Sequence, residues 1–327
     1  MKILFLAALC LLGFLLHIGL GSYLWISPFE TVLEIFKGSG SGNELVNSIV
    51  WDIRLPRALG CVLGGALLGS VGAVFQTLFR NPLADPYVLG VSSGSALGGA
   101  LAIILGLGGI LHGLGVVVFA VIFGLSSLIL VMCLARRSGV LLIHTLLLAG
   151  VVIGIFLSSL LTLAMYLSGN DLHLIFRWLM GSTTPMFWDR LAIMGIFLLI
   201  GGWILYRKSR HLNAFVISEE GAKNLGINAD RLKWLVLVIG TAMTAVAVGS
   251  MGILGFIGLV APHIARKLLG IDLRFSFIGA LLVGSLLLLF ADLIAQRIAP
   301  IELPVGVVTA IIGAPFLILL LRRQIIQ

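Results

Sequence analysis

His263 and Asp292 are residues within apolar runs whose side chains could do chemistry. His263 follows Pro262, and no second histidine or acid lies four residues away, so the ligand spacing of a helical zinc site is missing. Asp292 is the one acid well inside an apolar run, and we expect it to pair with Arg297 or to cap packing. A proton relay would need further acids within the apolar runs. We therefore predict no catalytic residue and no metal ligand.

The cysteines and the nucleotide motifs lead to the same conclusion. Cys10, Cys61 and Cys133 lie far apart in apolar runs, which is typical of small hydrophobic residues and not of a zinc site or a disulfide framework. The phosphate-binding string G-x-x-x-x-G-K-[ST] is also absent from the sequence. We expect this chain to bind no cofactor, and any ATP and Mg²⁺ to be bound by another chain.

The main polar stretch is residues 206–233, which contain nine charged side chains. It starts with the basic segment Arg207–Arg210. A serine followed by two acids then predicts the start of a helix, and a glycine eight residues after the serine predicts its end. A polar helix of about two turns is marginal by itself, so we expect a soluble partner to bind it; a solvated loop is the alternative. The residues of this predicted helix that we assign to the partner contact are Ser218, Glu219, Glu220, Gly221, Ala222, Leu225 and Gly226.

The composition places these residues in a membrane protein. The chain has 327 residues, of which 60% are hydrophobic and 10% charged, with a mean hydropathy of +1.19. Soluble domains carry about 25% charged residues. Since a membrane span needs roughly 20 apolar residues, the sequence predicts an all-α polytopic protein with about ten transmembrane helices in one domain, 1–327. The predicted spans are 3–24, 57–79, 92–108, 114–134, 142–167, 191–206, 234–250, 255–269, 275–296 and 305–321.

Lysine and arginine positions predict the orientation. With the N-terminus in the cytoplasm, fifteen basic residues lie on the inner side and six on the outer side. This bias places both termini and the loop 206–233 inside. The apolar run 3–24 is longer than the ~7–15 residues of a signal-peptide core, so we interpret it as the first membrane helix.

Three shorter features add local predictions. Gly65, Gly69 and Gly72 form a stripe of small residues, which favours close helix packing. The inner loop Arg80–Gly90 contains Asn-Pro and Asp-Pro pairs, which predict a shaped turn and not a helix. On the outer side, Leu172–Met180 predicts a short helix near the membrane surface, while the glycine-serine run 38–42 predicts a flexible stretch.

Six short sequence motifs occur in a specific order along the chain. Together they make it resemble the FecCD-type permeases, the membrane subunits of bacterial ABC importers for iron–siderophore complexes, haem and cobalamin. The strings are Arg54–Arg57 (RLPR), Gln76–Gly94 (QTLFRNPLADPYVLGVSSG), Leu146–Val151 (LLLAGV), Trp178–Gly181 (WLMG), Gly255–Arg266 (GFIGLVAPHIAR) and Glu302–Pro315 (ELPVGVVTAIIGAP).

The resemblance implies roles for residues on both sides of the membrane. Arg54, Arg57 and Arg297 match outer positions where family members bind acidic groups of a substrate-binding protein; contact with lipid headgroups is the alternative. Arginine forks suit such carboxylates. The helix within 206–233 matches the segment that fits a groove on the ATPase subunit. By position in the family, Ile143 and His144 line an inner gate, and Gln76 faces the pathway or forms a packing contact.

We therefore expect a permease subunit in the bacterial cytoplasmic (inner) membrane that moves a large metal chelate inward by ATP-driven alternating access. The resemblance implies a homodimer, two ATPase subunits and an outer binding protein, and no nucleic acid. The alternatives are an ion-coupled secondary transporter and an intramembrane enzyme. The first needs ionisable residues at a coupling site, and the second needs a nucleophile–base pair or metal ligands.

Overall fold

The computed structural model describes residues 1–21, 26–40, 44–137, 140–217, 221–222, 226–298 and 301–325. Within these ranges the fold is helical, as predicted, with one two-residue β-hairpin in which Arg136 pairs with Leu141. The α-helices are α1 Lys2–Gly19, α2 Pro28–Lys37, α3 Glu44–Ser48, α4 Leu55–Leu78, α5 Val91–Ile104, α6 Leu114–Ala135, α7 Ile143–Leu167, α8 Leu172–Leu179, α9 Trp188–Arg207, α10 Ser209–Ile217, α11 Ala229–Met251, α12 Ile257–Leu269, α13 Leu273–Arg297 and α14 Val305–Ile325. The other elements are the strands β1 Arg136–Arg137 and β2 Val140–Leu141, a π-helix Ile49–Arg54, and 3₁₀ turns Leu107–Gly113 and Gly169–Asp171.

Each of the ten predicted spans coincides with one of these helices. Among the described residues, seven helices are long and apolar enough to cross a membrane, and α5 and α14 are shorter apolar helices. Helix α12 has 13 residues and contains Pro262. Short or interrupted helices are tolerated at membrane depth where protein surrounds them.

Helix α4 lies at the centre of the bundle, because it packs along α13 and also against α12, α11 and α9. The predicted stripe of small residues forms the contacts of α4 with α13 and α12. A methyl group on Gly65 would overlap the carbonyl oxygen of Gly284, and one on Gly72 would overlap that of Gly258. The backbone of α4 therefore approaches those of α13 and α12 as closely as glycine allows, and van der Waals packing replaces the hydrophobic drive that is absent in lipid.

Helix ends that the charge bias assigns to the same side of the membrane contact one another. On the inner side, Lys2 Nζ donates to the carbonyl of Leu268 at 2.9 Å. On the outer side, Arg190 Nε donates to the carbonyl of His112 at 2.9 Å, and the His112 ring stacks on Phe187. Contacts thus join residues assigned to the same side of the membrane.

The outer segment after α1 contains two side-chain contacts with the backbone. Ser27 caps α2 by accepting from Glu30 N–H at 3.1 Å, and Asn47 donates to the carbonyl of Gly38 at 3.0 Å. Residues 41–43 lie outside the described residues, and flexibility of the glycine-serine run stays a prediction. The predicted short helix at Leu172–Met180 is confirmed as α8.

The inner loop Arg80–Gly90 is a series of turns, as predicted. Asn81 Oδ1 accepts from Leu83 N–H at 2.9 Å, and Asp85 Oδ1 accepts from Tyr87 N–H at 2.9 Å. Short polar side chains that bind the backbone two residues later stabilise a turn against a helix. Burial raises the pKa of Asp85 to about 6.

Candidate functional site

A buried polar group surrounds Asp292 near the outer end of α13, and we call it the outer cluster. The Asp292 carboxylate is fully buried and accepts from Arg57 Nε at 2.8 Å and Nη2 at 3.1 Å. It also binds His17 Nε2 at 2.7 Å and Gln296 Nε2 at 2.8 Å. The hydroxyl of Thr183 donates to the same carboxylate. One acid therefore joins α1, α4, α13 and the loop after α8.

Arg57 connects this acid to a second one. Its Nη1 donates to both carboxylate oxygens of Glu302 at 3.1 Å, and Glu302 lies just before α14. Arg57 is 4% exposed, so it carries a positive charge that water barely reaches. Removing one partner of such a buried pair typically costs about 3–5 kcal/mol, because the other charge is left uncompensated. The outer cluster, His17, Arg57, Thr183, Asp292, Gln296 and Glu302, thus fixes five elements together.

The expectation that Asp292 pairs with Arg297 was wrong. Five residues along a helix correspond to about 140° of rotation, so the two side chains leave α13 on different faces. Arg297 is exposed, and its Nε donates to the carbonyl of Leu20 at 3.1 Å. The partner of Asp292 is Arg57, which lies 235 positions away in the sequence.

Three potential metal ligands also meet in the outer cluster. Atoms of His17, Cys61 and Asp292 lie within 4.8 Å of one another, and all three residues are buried. His17 Nε2 and the Asp292 oxygens bind each other, and the Arg57 guanidinium occupies both oxygens of the acid. A cation at this point would lie beside a guanidinium and would have to displace its hydrogen bonds, so the group fits an ion-pair network and not a metal centre.

The arginines predicted to contact a binding protein have different environments. Arg54 is 3% exposed and holds the end of α1, with Nη1 donating to Ile18 O at 3.1 Å and Nη2 to Gly21 O at 3.2 Å. Arg57 belongs to the outer cluster. Only Arg297, of the three, is exposed. Docking stays a prediction for all three, and in this conformation the guanidinium groups of Arg54 and Arg57 already have partners within the chain.

On the inner side, the structure describes part of the segment predicted to contact an ATPase. Gly221 and Ala222 have helical backbone, and Ala222 is buried. Gly226 has a φ of 77°, and Ile227 N–H donates to Ala222 O at 3.1 Å, which is the bond of a Schellman helix end. These observations fit the predicted helix stop. Ser218, Glu219, Glu220 and Leu225 lie outside the described residues.

The predicted path and gate residues lie in two places on the inner half. Gln76 is buried; its Nε2 donates to Leu259 O at 3.2 Å and its Oε1 accepts from Arg266, so the amide has the partner that a membrane helix demands. Ile143 and His144 begin α7 directly after the β-hairpin, and His144 is exposed. Their roles in a path or gate stay predictions.

Sequence reasoning missed several polar residues that the structure brings together. His17 and Lys233 are both 1% exposed, and Glu302 contacts Arg57. A signal was available for His17, because a polar residue within a membrane span is costly and needs a partner. Lys233 lies at the edge of the polar stretch 206–233, where nothing in the sequence distinguishes a buried lysine from a solvated one.

The arrangement is that of a membrane permease: a bundle of apolar helices, fixed near its outer face by an ion-pair network, with a polar segment on its inner face. Sequence comparison assigns the class more closely. The model of the FecCD transport family matches residues 9–323, so the chain belongs to that family. It is therefore an ABC importer permease and a multi-pass protein of the cytoplasmic membrane, as predicted.

Named relatives and a solved structure agree with this assignment. The chain is 39% identical to the vitamin B12 import system permease protein BtuC of Salmonella arizonae, over 98% of this chain and 93% of the relative. It is 34% identical to the molybdate import system permease protein MolB of Haemophilus influenzae, over 90% and 85% of the two chains. An inward-facing ABC transporter structure, proposed to be of the metal-chelate type, matches with a TM-score of 0.86 and 31% identity, covering 98% of both chains.

Proposed function

We propose that this chain is the membrane-spanning subunit of an ATP-driven importer that moves a large metal chelate inward by alternating access. Iron–siderophore complexes, haem and cobalamin are the chelates that the sequence motifs favour. The chain works as a homodimer with two ATPase subunits on its inner face and a substrate-binding protein on its outer face. It contributes shape and motion, while ATP and Mg²⁺ bind to the ATPase chains.

The observation that carries this proposal is the inner segment 206–233. Its helix α10 and Ala222 are seated against the bundle, with Leu212, Phe215 and Ala222 fully buried. This segment is polar in sequence and is packed against the helices through buried residues. A soluble partner that binds its polar surface could therefore displace it and move the helices with it. Membership of the FecCD family supports an ABC ATPase as that partner.

The face of α7 that points away from the rest of the bundle supports a path between two copies of the chain. Leu148, Val151 and Ile155 are exposed apolar residues of this helix, and Ser158 and Thr162 are exposed hydroxyl residues on it. The Ser158 hydroxyl contacts that of Ser93 at 2.9 Å, and the Thr162 hydroxyl donates to the carbonyl of Ser158 at 3.0 Å, so this face is less apolar than a purely lipid-facing one. A second copy across this face would enclose them in a lined pathway. Between α8 and α14, by contrast, a cavity of about 90 Å³ beside Arg57 is far below the ~300–1,000 Å³ of ligand pockets, so it does not hold a chelate.

An ion-coupled mechanism finds little support at Asp292. A coupling site needs an acid that an ion can reach from one side of the membrane at a time. The Asp292 carboxylate is fully buried, and donors from four residues occupy it. The acid is thus already used to hold the bundle together.

Uptake by the reconstituted complex tests the proposal. The chain is placed in liposomes with its ATPase and binding protein, and uptake is measured with ATP, with a non-hydrolysable analogue and with an ion gradient alone. We expect uptake with ATP only. Uptake driven by an ion gradient without ATP would contradict the ATP-driven mechanism.

A variant of the inner segment tests the ATPase contact. Leu225→Asp places a charge on the predicted apolar face and should detach or uncouple the ATPase, because the groove that receives this face must then desolvate a carboxylate. Asn224→Asp adds the same charge at a neighbouring polar position and serves as the matched control. Co-purification and uptake report the result; a Leu225→Asp complex with normal uptake contradicts the contact.

The nature of the substrate needs a separate measurement, since relatives carry names as different as vitamin B12 and molybdate. The purified binding protein is offered a ferric siderophore, haem, cobalamin and molybdate, and retention of each is measured by calorimetry. Retention of one chelate supports the proposal. Retention of molybdate alone overturns the chelate assignment and leaves the ATP-driven mechanism standing.

A further inference from the structure

Lys233 is a buried lysine at the inner end of α11. It is 1% exposed, although it lies only five residues into the helix and next to the polar segment. Its Nζ donates to the carbonyl of Leu141 at 2.8 Å and lies 3.7 Å from the carboxylate of Asp230. It also lies 5.6 Å from the centre of the Phe215 ring. An ammonium group is costly to bury, so a position that only filled space would be served better by leucine or methionine.

The contacts of Lys233 reach the segment that leads to the predicted gate. Leu141 ends the β-hairpin, two residues before Ile143 begins α7. Both backbone groups of Leu141 bind the first turns of α11, because its N–H also contacts the Asp230 carboxylate at 3.4 Å. The start of α7 is therefore fastened to α11 through one lysine and one acid.

Other contacts reach the segment that receives the ATPase. Phe215 lies on α10 within 206–233, is fully buried, and has the Arg80 guanidinium 5.4 Å from its ring centre as well as Lys233. Cations near an aromatic ring are attracted by its quadrupole, and the attraction strengthens away from water. Arg80 begins the shaped loop between α4 and α5. We call Arg80, Leu141, Phe215, Asp230 and Lys233 the inner cluster.

We propose that Lys233 is a positioning residue that transmits movement of α10 to the β-hairpin and so to the start of α7. When the ATPase displaces α10, the ring of Phe215 moves against the ammonium group, and the Nζ–Leu141 bond carries the movement to the residues that precede Ile143. This inference rests on the proposed function, because it assumes that the segment 206–233 receives the force. It adds the residue through which that force reaches the gate.

Three variants of the assembled complex test the role of the ammonium group. Lys233→Met keeps an unbranched side chain and removes the donor and the charge. Lys233→Arg keeps a cation and should restore part of the coupling. Lys267→Met is the matched control, since Lys267 is an exposed lysine of α12 on the same side of the membrane. Each complex is assayed for ATP hydrolysis and for substrate uptake, and the ratio of the two is the measure of coupling.

We expect Lys233→Met to lower uptake per ATP about tenfold, within the range of typical coupling free energies, while ATP hydrolysis stays near the wild-type rate. Lys267→Met should leave the ratio unchanged. A normal ratio in Lys233→Met overturns the proposal, and so does an equal fall in hydrolysis and uptake, because that result indicates a structural role only.

Spin-label distances separate transmission from general damage. In a Cys133→Ser background, labels at Arg210→Cys report the segment 206–233 and labels at His144→Cys report the start of α7, each measured between the two copies. ATP should change both distances in the wild type. In Lys233→Met it should change the distance at 210 and no longer at 144; a wild-type response at 144 contradicts the proposal.

A variant on the other side of the contact covers the case in which Lys233→Met does not assemble. Phe215→Leu removes the ring beside the ammonium group and leaves the Nζ–Leu141 bond in place. A lowered ratio of uptake to hydrolysis supports the proposal, and a normal ratio overturns it. If wild-type uptake needs no ATP, the proposed function fails, and that result is visible before any variant is compared.

Discussion

The outer and inner clusters each contain a buried charge at one end of the bundle, but their surroundings differ. Asp292 is held by side chains of four residues, and its cation Arg57 binds a second acid. The contacts of Lys233 include one backbone carbonyl, an aromatic ring and an acid that is 41% exposed. The first charge is bound by side-chain donors of four residues, whereas the contacts of the second include a ring and a partly exposed acid at longer distance.

The difference predicts which of the two clusters costs more to break. Breaking the outer cluster would strand an arginine and an aspartate away from water, and such a state is costly. The contacts of Lys233 can lengthen or exchange at smaller cost, because a carbonyl and a ring tolerate a range of positions for an ammonium group.

The substitution Asp292→Ala should have the largest effect. It leaves Arg57 and His17 buried without their acid, so we expect a loss of about 3–5 kcal/mol in unfolding free energy, or failure to assemble. Asp189→Ala is the matched control, because Asp189 is an acid that binds a histidine on the surface and should contribute less than about 1 kcal/mol. Denaturation in detergent measures both. Equal stability of the two variants would contradict the conclusion that the outer cluster is strongly stabilising.

The substitution Asp85→Asn tests a partly buried acid of the inner loop. Burial raises the pKa of Asp85 to about 6, so the unfolded chain releases this proton first and stability falls as the pH rises through about 6. The amide cannot ionise and can still accept from Tyr87. We expect Asp85→Asn to be about 1 kcal/mol more stable than the wild type at pH 7.5 and equal to it near pH 4. A difference that does not change with pH contradicts the assignment.

The substitution Arg297→Glu tests docking on the outer face without disturbing the outer cluster. Arg57→Glu would place an acid beside Asp292 and Glu302, and its effect would report misfolding. Because Arg297 is exposed, its reversal should slow association with the binding protein several-fold at low salt and leave ATP hydrolysis alone. Surface plasmon resonance at two salt concentrations measures the rate. An unchanged association rate removes Arg297 from the docking surface.

The substitution Asp230→Ala should have the smallest effect on stability. The Asp230 carboxylate is partly exposed and 3.7 Å from Lys233, so its loss should cost less than about 1 kcal/mol. The same denaturation measurement used for Asp292→Ala compares the two clusters directly. A cost near that of Asp292→Ala would show that the inner cluster is as rigid as the outer one.

The sequence predicted the helices well and their polar contacts poorly. Apolar runs separated by basic residues were sufficient to locate the long apolar helices, because lipid requires both features. The stripe at Gly65, Gly69 and Gly72 was also visible, since close packing needs small residues at helical spacing. The helices α2 and α10 were missed, because each is short and its stability comes from contacts elsewhere in the fold.

In the candidate sites as well, local turns could be predicted from the sequence and long-range contacts could not. The inner loop at Asn81 and Asp85 follows local turn chemistry, which a sequence displays directly. The pair Arg57–Asp292 joins residues 235 positions apart, and no local pattern distinguishes Arg57 from Arg297 as the partner. Burial of Arg54 likewise depends on where α1 ends in space, which is a property of the whole bundle.

The hydrogen bond between His17 and Asp292 has a consequence for the synthesis of the chain. The two residues are 275 positions apart, and at about 5–20 residues per second the ribosome needs some tens of seconds to pass from one to the other. During that interval His17 cannot form this hydrogen bond, because Asp292 has not yet been synthesised. The contact between α1 and α13 at this point is therefore completed late in the synthesis of the chain.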